Sequence, residues 1–326
     1  HRNLSSYLAW INSELTPDGQ PQMPFTTRLS FDACVKQVLG PLVCGRDVWL
    51  VPPETITDAP RLIAELRTRH PSAFSGVPTL WKSLLDAMEA DPSLAHGPGL
   101  THAFLGGELL DSDTVQRSRR LLPQLTMWNI YGPTETTPNA AAGRLADDGL
   151  VPVGRPIANA RLYILDRNLQ PVLPGHPGEL FIGGAAVGRG YWQRPDLTAE
   201  RFVADPFCTE PGQRLYRTGD RCRHLADGRI EFLGRADYQV KLRGYRIELG
   251  EIEHALRDCA GVKDAVAVLL DEPGKEKRLA AYVVFAGARP PERQELLDRL
   301  HKTLPSYMVP AQFVLLRELP RLPSGK

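Results

Sequence analysis

The sequence predicts an α/β protein with a large subdomain of helix-covered sheets plus a small β-barrel-like region, followed by a small α+β C-terminal subdomain. Residues 28–140 alternate helical periods with short apolar runs. From about residue 150 the sequence pattern becomes one of short strands and Pro/Gly turns. After residue 237 helices and strands mix again. At 326 residues, with 42% hydrophobic and 24% charged residues, the chain is long enough for about two globular domains.

The first region predicts helices packed on a buried sheet. In the stretch FDACVKQVLGPL, apolar residues recur at the spacing of one helical face, at Val35, Val38, Leu39 and Leu42. The stretch APRLIAELRTRH repeats the pattern with Leu62, Ile63 and Leu66. Between them DVWLV predicts a buried strand, and AFSGVP and HAFLGGE predict strand ends that open into loops. This order predicts a helix-covered sheet over about residues 1–150.

The two later regions have different patterns of predicted secondary structure. Residues 151–236 contain ARLYILDRNLQPVLPGHPGELFIGG and RLYRTGDRCRHLADGRIEFLGR, which predict hairpins or a small barrel. Residues 237–326 begin with a helical LGEIEHALRD, continue with strands AVAVLL and RLAAYVVFA, and reach a second helix in PERQELLDRLHKTLP. We therefore place a domain boundary near Asp237.

Charge and cysteine usage exclude several function classes. The net charge of +1 gives no bulk attraction to nucleic acid or to an anionic membrane, so neither is expected as a partner. No apolar run approaches the roughly 20 residues of a transmembrane helix. The five cysteines contain no CxxC pair and the eight histidines lack ligand spacing. A disulfide framework or zinc site is therefore disfavoured, and the cytoplasm is the expected compartment.

The string NIYGPTETT at 129–137 combines an amide, an aromatic ring, hydroxyls and a carboxylate. Gly, Pro, Asn and Thr also dominate plain hydrophilic turns. As a site, however, Tyr131 can stack on a flat base, Thr134 can donate to a phosphate oxygen, and Glu135 is an oxygen ligand suited to Mg²⁺. The whole string favours the site.

Two further strings carry charged groups next to glycine turns. In YRTGD at 216–220, Asp220 can bind both hydroxyls of a ribose, although taken alone the string favours a plain strand-terminating turn. In GRADYQVKLRGYRIELGEIE at 234–253, Arg235 and Asp237 stand between two differently textured regions, where a hinge is favoured. The alternative is a solvated hairpin that leads into a helix.

In this order, the three strings resemble the adenylation domain of nonribosomal peptide synthetases, within the adenylate-forming family that includes acyl-CoA synthetases and luciferases. Further matches are FDAC at 31–34, GELFIGGAAVGRGYW at 178–192, LPSYMVP at 304–310 and the terminal PSGK. The resemblance implies the adenylate-forming enzyme fold. Residues 1–236 would be the C-terminal part of its large core subdomain, and residues 237–326 its mobile C-terminal subdomain with the hinge at Asp237.

The resemblance also implies a ligase reaction in two steps. A carboxylate attacks the α-phosphate of ATP, with Mg²⁺, to give an acyl-adenylate and pyrophosphate. The phosphopantetheine thiol of a peptidyl carrier protein or domain then takes the acyl group as a thioester. The expected partners are an amino acid and that carrier, and some members of the family also require a small MbtH-like protein. The expected setting is secondary metabolism such as antibiotic biosynthesis.

By motif match, the resemblance assigns roles to particular residues. Tyr131 would stack on adenine, Thr134 would contact the α-phosphate, and Glu135 would hold Mg²⁺. The other nucleotide-side positions are Asn129, Gly107, Glu108, Asp220 and Arg235, of which Asp220 and Arg235 would bind the ribose. The terminal Lys326 would swing into the site as a catalytic point charge. Gly244 would lie in the loop that is brought to the thioester-forming site.

The substrate side also follows by motif match. Asp32 would pair with the α-ammonium of an amino acid, and the lining would comprise Asp32, Ala33, Lys36, Ser75, Phe104, Gly106, Ile130, Pro138 and Asn139, together with Lys326. On a helix Lys36 lies one turn after Asp32, and a simple ion pair between them would contribute about 0.2–0.5 kcal/mol. If Lys36 instead faces the substrate, a buried lysine needs a counter-charge. We hypothesise an acidic side chain such as aspartate, glutamate or a methylated relative.

One departure from the family pattern is large. The family has a Ser/Thr/Gly-rich phosphate loop ending in Pro-Lys-Gly before an HRN-like segment, and this sequence starts at His1. The resemblance therefore covers the C-terminal portion of an adenylation domain, which we expect to be inactive alone. Two alternatives are a stand-alone acyl- or aryl-CoA ligase, which Asp32 disfavours, and a non-catalytic nucleotide-binding module, which Glu135, Asp220 and Lys326 disfavour.

Overall fold

The computed structural model of the protein describes residues 1–15, 23–69, 71, 73–95, 99–272, 276–286 and 290–319. Its contacts divide the chain into two compact units, with the boundary after Ala236. Across the described ranges, no helix combines the length and the apolar character needed to span a bilayer.

The first half of the first unit is built on a five-stranded sheet of order β3-β4-β5-β6-β7. Strands β3, β4 and β5 are parallel, β6 pairs antiparallel with β5, and β7 pairs antiparallel with β6. The elements in chain order are α1 (Arg2–Trp10), β1 (Pro24–Phe25), α2 (Gly40–Val43), β2 (Trp49–Leu50), α3 (Pro53–Ile56), α4 (Ala59–Arg69), β3 (Ala73–Gly76), α5 (Pro78–Ala90), β4 (His102–Gly106), α6 (Ser112–Leu121), β5 (Thr126–Tyr131), β6 (Ala141–Arg144) and β7 (Arg155–Pro156).

The parallel strands separate two apolar clusters, because successive side chains point to opposite faces of a sheet. One face packs against α4, α5 and α6, and its cluster includes Phe74, Leu105 and Met127. The other face carries Phe104 and Ile130, which pack with residues of α1. The predicted helix-covered sheet is confirmed, and Leu62, Ile63 and Leu66 of α4 are fully buried.

Two local predictions need correction. The segment that follows Asp32 is helical, but Val35–Leu39 forms a π-helical turn before α2 begins. In this turn Lys36 and Gln37 are buried, while Leu42 of the apolar stripe is 53% exposed. The predicted buried strand DVWLV is only the two-residue strand β2, paired with β1 alone. It buries Trp49 on one side and leaves Leu50 67% exposed on the other.

The second half of the first unit is a five-stranded antiparallel sheet, in which β11 pairs with β9 on one edge and with β10 and β12 on the other. Arg217 pairs with Phe181 and Arg221 with Glu179, so β11 carries two residues more than β9 over this interval. This bulge contains Gly219 at φ 77°, a conformation that favours glycine. The elements are β8 (Ala160–Leu165), β9 (Gly178–Gly184), α7 (Pro195–Arg201), β10 (Phe202–Ala204), β11 (Arg214–His224) and β12 (Ile230–Arg235).

The second unit is a small α+β fold. Its strands form a two-stranded hairpin, β13-β14, and a three-stranded sheet of order β15-β16-β17. Helices α8 and α9 contribute Ile252, Leu256, Leu296 and Leu300 to one cluster with that sheet. The elements are β13 (Gln239–Leu242), β14 (Tyr245–Glu248), α8 (Leu249–Arg257), β15 (Val262–Leu270), β16 (Arg278–Phe285), α9 (Arg293–Thr303) and β17 (Gln312–Leu316).

Candidate active site

Four of the predicted substrate residues lie on the sheet face that helices α4 to α6 do not cover. Ser75 pairs with Phe104 in register, and Gly106 pairs with Ile130. Because side chains alternate along a strand, all four lie on the sheet face that carries the Phe104–Ile130 cluster. No side chain fits at position 106, because a Cβ on Gly106 would lie 2.2 Å from the backbone oxygen of Ile130.

The helical turn Val35–Leu39 lies against this face. The side-chain amide of Gln37 donates a 2.8 Å hydrogen bond to the backbone oxygen of Ser75, and Gln37 is 1% exposed. Sequence reasoning missed Gln37, whose only signal was its position beside Lys36. From α1, the Tyr7 hydroxyl donates to Oδ1 of Asn139 at 2.7 Å.

Asp32 and Thr134 join the substrate side to the predicted phosphate side. The Thr134 hydroxyl donates to Oδ2 of Asp32 at 2.5 Å. The two residues are far apart in sequence, and each was predicted separately. Ala33 lies next to Asp32 in the same partly buried turn, and Pro138 is buried beside Asn139.

Lys36 is buried, and its amine lies beyond ion-pair distance of the carboxylates in the described residues. It is 6% exposed, and in the described part of the chain no carboxylate forms an ion pair with it. The predicted alternative, an ion pair with Asp32, is therefore absent. Burial lowers the pKa of Lys36 from 10.5 to about 8, although the charges of Asp32 and Cys34 act in the opposite direction.

Tyr131, Asp220 and Arg235 form one hydrogen-bonded cluster. The Tyr131 hydroxyl donates to Oδ2 of Asp220, and Nη1 of Arg235 lies 2.6 Å from Oδ1 of the same carboxylate. Asp220 and Arg235 are direct cross-strand neighbours on β11 and β12. Toward β9, Asp220 lies inside the β11 bulge between Arg217 and Arg221, outside the regular register. Burial and the negative charge of Asp220 raise the pKa of Tyr131, so the phenol remains a donor.

Glu135 is held in its place by a loop from the antiparallel sheet. Tyr191 donates its hydroxyl to Oε1 of Glu135 at 2.5 Å, and the backbone N–H of Gly188 donates to the Glu135 carbonyl at 2.8 Å. Sequence reasoning missed Tyr191, although the motif GELFIGGAAVGRGYW contains it. The motif alone does not indicate which side chain the tyrosine contacts.

Three of the predicted nucleotide-side residues stabilise the local fold through hydrogen bonds or backbone conformation. Asn129 donates from its side chain to the backbone oxygen of Pro152 at 2.9 Å, and it points to the face opposite Ile130. Glu108 accepts hydrogen bonds from the backbone and the hydroxyl of Thr79, in the first turn of α5. A carboxylate at that end of a helix is favourable. Gly107 joins it to β4 with φ 83°.

The remaining predicted residues lie in the second unit. Asp237 is its first residue, and Gly244 follows Arg243 at the tip of the β13–β14 hairpin. The backbone φ values of Arg243 and Gly244, 52° and 80°, are those of a tight hairpin turn. Lys326 lies outside the described residues.

Two surface cavities, of about 200 and 370 Å³, adjoin one another on the antiparallel sheet and share Glu210 and Gln213. None of the predicted site residues lines either cavity. The candidate site is therefore defined by the hydrogen-bonded groups rather than by these cavities.

A helix-covered parallel sheet, an antiparallel sheet that presents an Asp–Arg pair to a tyrosine, and a separate α+β unit together define an adenylate-forming enzyme. The chain belongs to the AMP-binding enzyme family. Residues 1–192 match the AMP-binding enzyme family, and residues 251–326 match the AMP-binding enzyme C-terminal domain.

Its relatives are adenylation domains of nonribosomal peptide synthetases. The chain is 46% identical to a linear gramicidin synthase of Brevibacillus parabrevis, over 91% of this chain and 4% of that protein. It is 40% identical to a dimodular nonribosomal peptide synthase of Bacillus subtilis, over 100% of this chain and 13% of that protein. The chain thus spans only a small part of these relatives.

Solved structures agree with this fold. The crystal structure of IdnL1 matches with a TM-score of 0.87 at 30% identity, over 98% of this chain and 66% of that one. A four-domain nonribosomal peptide synthetase bound to AMP and glycine matches with a TM-score of 0.65 at 37% identity, over 99% of this chain and 24% of that one. PA1221, which contains adenylation and PCP domains, matches with a TM-score of 0.79 at 31% identity, over 94% and 52%.

Proposed function

We propose that the chain takes part in the ATP-dependent activation of an amino acid as an aminoacyl-adenylate, followed by transfer to the phosphopantetheine thiol of a carrier protein. The observation that carries this proposal is the Thr134–Asp32 hydrogen bond. It brings an ammonium-binding carboxylate and a phosphate-binding hydroxyl together, as the attack of a carboxylate on an α-phosphate requires. The AMP-binding family and the relative solved with AMP and glycine support the use of ATP.

The nucleotide would lie against the Tyr131–Asp220–Arg235 cluster. The Asp220 carboxylate would accept the ribose hydroxyls, and the Arg235 guanidinium fixes the orientation of that carboxylate. Tyr131 is 7% exposed, so its contribution to adenine stacking would come from the small part of the ring that remains open. The Thr134 hydroxyl would move from Asp32 to a phosphate oxygen.

The residues present fit a Mg²⁺ ion that is shared with the phosphates. Glu135 supplies a hard oxygen ligand, and within the described ranges no group of three or more His, Cys, Asp or Glu side chains could form a dedicated cage. Mg²⁺ at nucleotide sites is commonly held by one or two carboxylates plus substrate phosphates and water. The ion would neutralise charge on the phosphates as pyrophosphate leaves.

The proposed carrier transfer rests on the resemblance and on relatives. Two solved relatives contain an adenylation domain with a carrier domain, and Gly244 and the hinge at Asp237 would act in this second step. Lys326 would act in the first step. An MbtH-like protein is proposed as an additional partner only by analogy with other family members, and a cytoplasmic location by composition.

We further propose that the amino acid has an acidic side chain. A buried cation costs free energy unless a counter-charge reaches it, and no carboxylate of the described residues lies within ion-pair distance of Lys36. With Asp32 on the α-ammonium, a side-chain carboxylate would reach Lys36 and complete its pairing. Aspartate, glutamate and their methylated relatives have this geometry.

Pyrophosphate exchange in the full-length protein tests both levels of the proposal. A panel of all proteinogenic amino acids plus acidic variants should give exchange with amino acids and the highest rates with acidic ones. Absence of exchange with every amino acid would contradict the activity. Exchange with aliphatic or aromatic amino acids alone would contradict only the role of Lys36.

A further inference from the structure

The loop of residues 188–192, here called the GRGYW loop, reaches the candidate site from the antiparallel sheet. We infer that Tyr191 of this loop is a positioning residue that fixes the Glu135 carboxylate for the metal and the nucleotide phosphates. The inference rests on the proposed role of Glu135 and goes beyond it, because it assigns the geometry of that carboxylate to a residue 56 positions away in sequence.

The loop holds Glu135 at its side chain and at its backbone. The Tyr191 hydroxyl is 2.5 Å from Oε1, a distance typical of a strong bond to a charged acceptor. The Gly188 N–H is 2.8 Å from the Glu135 carbonyl. A third hydrogen bond of 2.9 Å, from the Thr137 hydroxyl to the carbonyl of Ala186, joins the chain just after Glu135 to the chain just before the GRGYW loop. Glu135 therefore cannot change its orientation without disturbing the loop.

Tyr191 is itself held in place. Its N–H donates to the Thr198 hydroxyl oxygen at 2.9 Å, and its ring stands edge-on to Phe202 with centroids 5.5 Å apart. Nη2 of Arg214 donates to the carbonyl of Arg189 in the same loop at 2.8 Å. A donor that is fixed before the ligand arrives loses little entropy when the ligand binds.

The chemistry of a phenol suits this task. A phenol hydroxyl has one O–H donor and no charge, and Tyr191 donates it to Oε1 of Glu135. A donated hydrogen bond to Oε1 fixes the plane of the carboxylate without supplying a competing charge. Groups that orient a metal ligand in this way commonly change metal affinity by about 10–100-fold when they are removed.

The test is Tyr191→Phe in the full-length protein, because phenylalanine keeps the ring on Phe202 and removes only the hydroxyl. Mn²⁺ binding would be measured by electron paramagnetic resonance in the presence of a non-hydrolysable ATP analogue. We expect binding about tenfold weaker or more, and a matching rise in the Mg²⁺ concentration that half-saturates exchange. The KM for the amino acid should stay within about twofold, since the amino-acid side is untouched.

Tyr163→Phe is the matched control. Tyr163 lies on β8 of the same antiparallel sheet, stacked on Phe207 with centroids 4.6 Å apart. This variant should leave Mn²⁺ binding unchanged.

Glu135→Gln separates the proposed metal role of Glu135 from the positioning role of Tyr191. If Glu135→Gln weakens Mn²⁺ binding and Tyr191→Phe does not, the positioning inference alone is overturned. If neither weakens it, the proposed metal role of Glu135 fails and the inference fails with it. All titrations are made well below each variant's unfolding midpoint.

Discussion

The hydroxyl of Thr134 donates a 2.5 Å hydrogen bond to Oδ2 of Asp32, and so occupies the carboxylate that is proposed to receive the substrate ammonium. An incoming ammonium would compete with this hydroxyl and release it toward the phosphates. The two halves of the proposed site are thus linked before any ligand is bound.

Asp32→Asn should lower kcat/KM for the amino acid. A hydrogen bond to a charged group contributes about 1.5–3 kcal/mol, which corresponds to roughly a 10–150-fold loss. Pyrophosphate exchange at varied amino-acid and ATP concentrations is the measurement. The control is Asp113→Asn in the exposed first turn of α6. An equal rise in the KM for ATP would contradict a specific role on the amino-acid side.

Binding of an acidic amino acid should weaken as the pH rises through about 8, because the pKa of Lys36 is lowered to about 8 and only the protonated form attracts a carboxylate. The KM for glutamate, if it is the substrate, would be measured by exchange between pH 6.5 and 9.5. Lys36→Met should remove this dependence. Glutamine provides a second control, because its α-ammonium titrates like that of glutamate. A glutamate KM with the same pH dependence in Lys36→Met would refute the ion pair.

The stability effect of Lys36 has the opposite sign. Its folded pKa of about 8 lies below the ordinary 10.5, so the unfolded state binds the proton more tightly. The free energy of unfolding should therefore rise between pH 8 and 10.5 by an amount that Lys36→Met eliminates. Urea titrations of both proteins across this range would measure the difference.

Tyr131→Phe should destabilise the first unit by about 1–3 kcal/mol, because the buried Asp220 loses one of its donors. The Arg235 ion pair remains in this variant, so we expect reduced stability and weaker nucleotide binding rather than unfolding. Thermal unfolding and calorimetric titration with an ATP analogue are the measurements. Tyr163→Phe is again the control. A variant with unchanged nucleotide affinity would show that the Tyr131 hydroxyl does not serve the nucleotide side.

Gly106→Ala should destabilise the protein by about 2 kcal/mol or more, since its Cβ would meet the backbone oxygen of Ile130 at 2.2 Å and neither strand can move freely. Gly250→Ala is the control, because Gly250 is exposed in helix α8 and its added Cβ would meet no atom within 4 Å beyond its chain neighbours and its own helix backbone. That change should stabilise by about 0.5–1 kcal/mol. Equal unfolding midpoints for the two variants would contradict the close approach of β4 and β5.

Lys326→Ala should strongly reduce adenylation and largely spare thioester transfer from a preformed adenylate. The physical reason is that a flexible point charge is needed while negative charge develops on the phosphates, and not afterwards. Exchange and single-turnover loading of a carrier protein measure the two steps separately. Equal losses in both would refute a role confined to the first.

The fold was predictable because it depends on short-range patterns. Period-two and helical repeats identified the sheets and the helices α4, α8 and α9, and the fold class is confirmed. The winding of Val35–Leu39 was not predictable, because a π-helical turn has no distinct apolar period. The same holds for the bulge in β11, which depends on pairing with a strand some 40 residues earlier.

The candidate site was predictable in its residues and less so in their contacts. Motif matches found Asp32, Thr134 and Asp220, but nothing local in the sequence pairs Thr134 with Asp32. Tyr191 was overlooked for the same reason, since its partner Glu135 lies in another motif. Conversely, Asn129 and Glu108 stand inside motifs while their side chains brace the backbone near Pro152 and the start of α5.

The pleat of β3, β4 and β5 has a consequence for substitutions. Residues 74, 103, 105 and 127 face the helices, while residues 75, 104, 106, 128 and 130, at the alternating positions, lie on the face proposed for the substrate. The packing against the helices and the proposed choice of amino acid would thus depend on alternate residues of the same short strands. Substitutions at the second set would leave the packing against α4, α5 and α6 untouched. They would have to preserve the contacts of Phe104 and Ile130 with α1 and the close approach of the strands at Gly106.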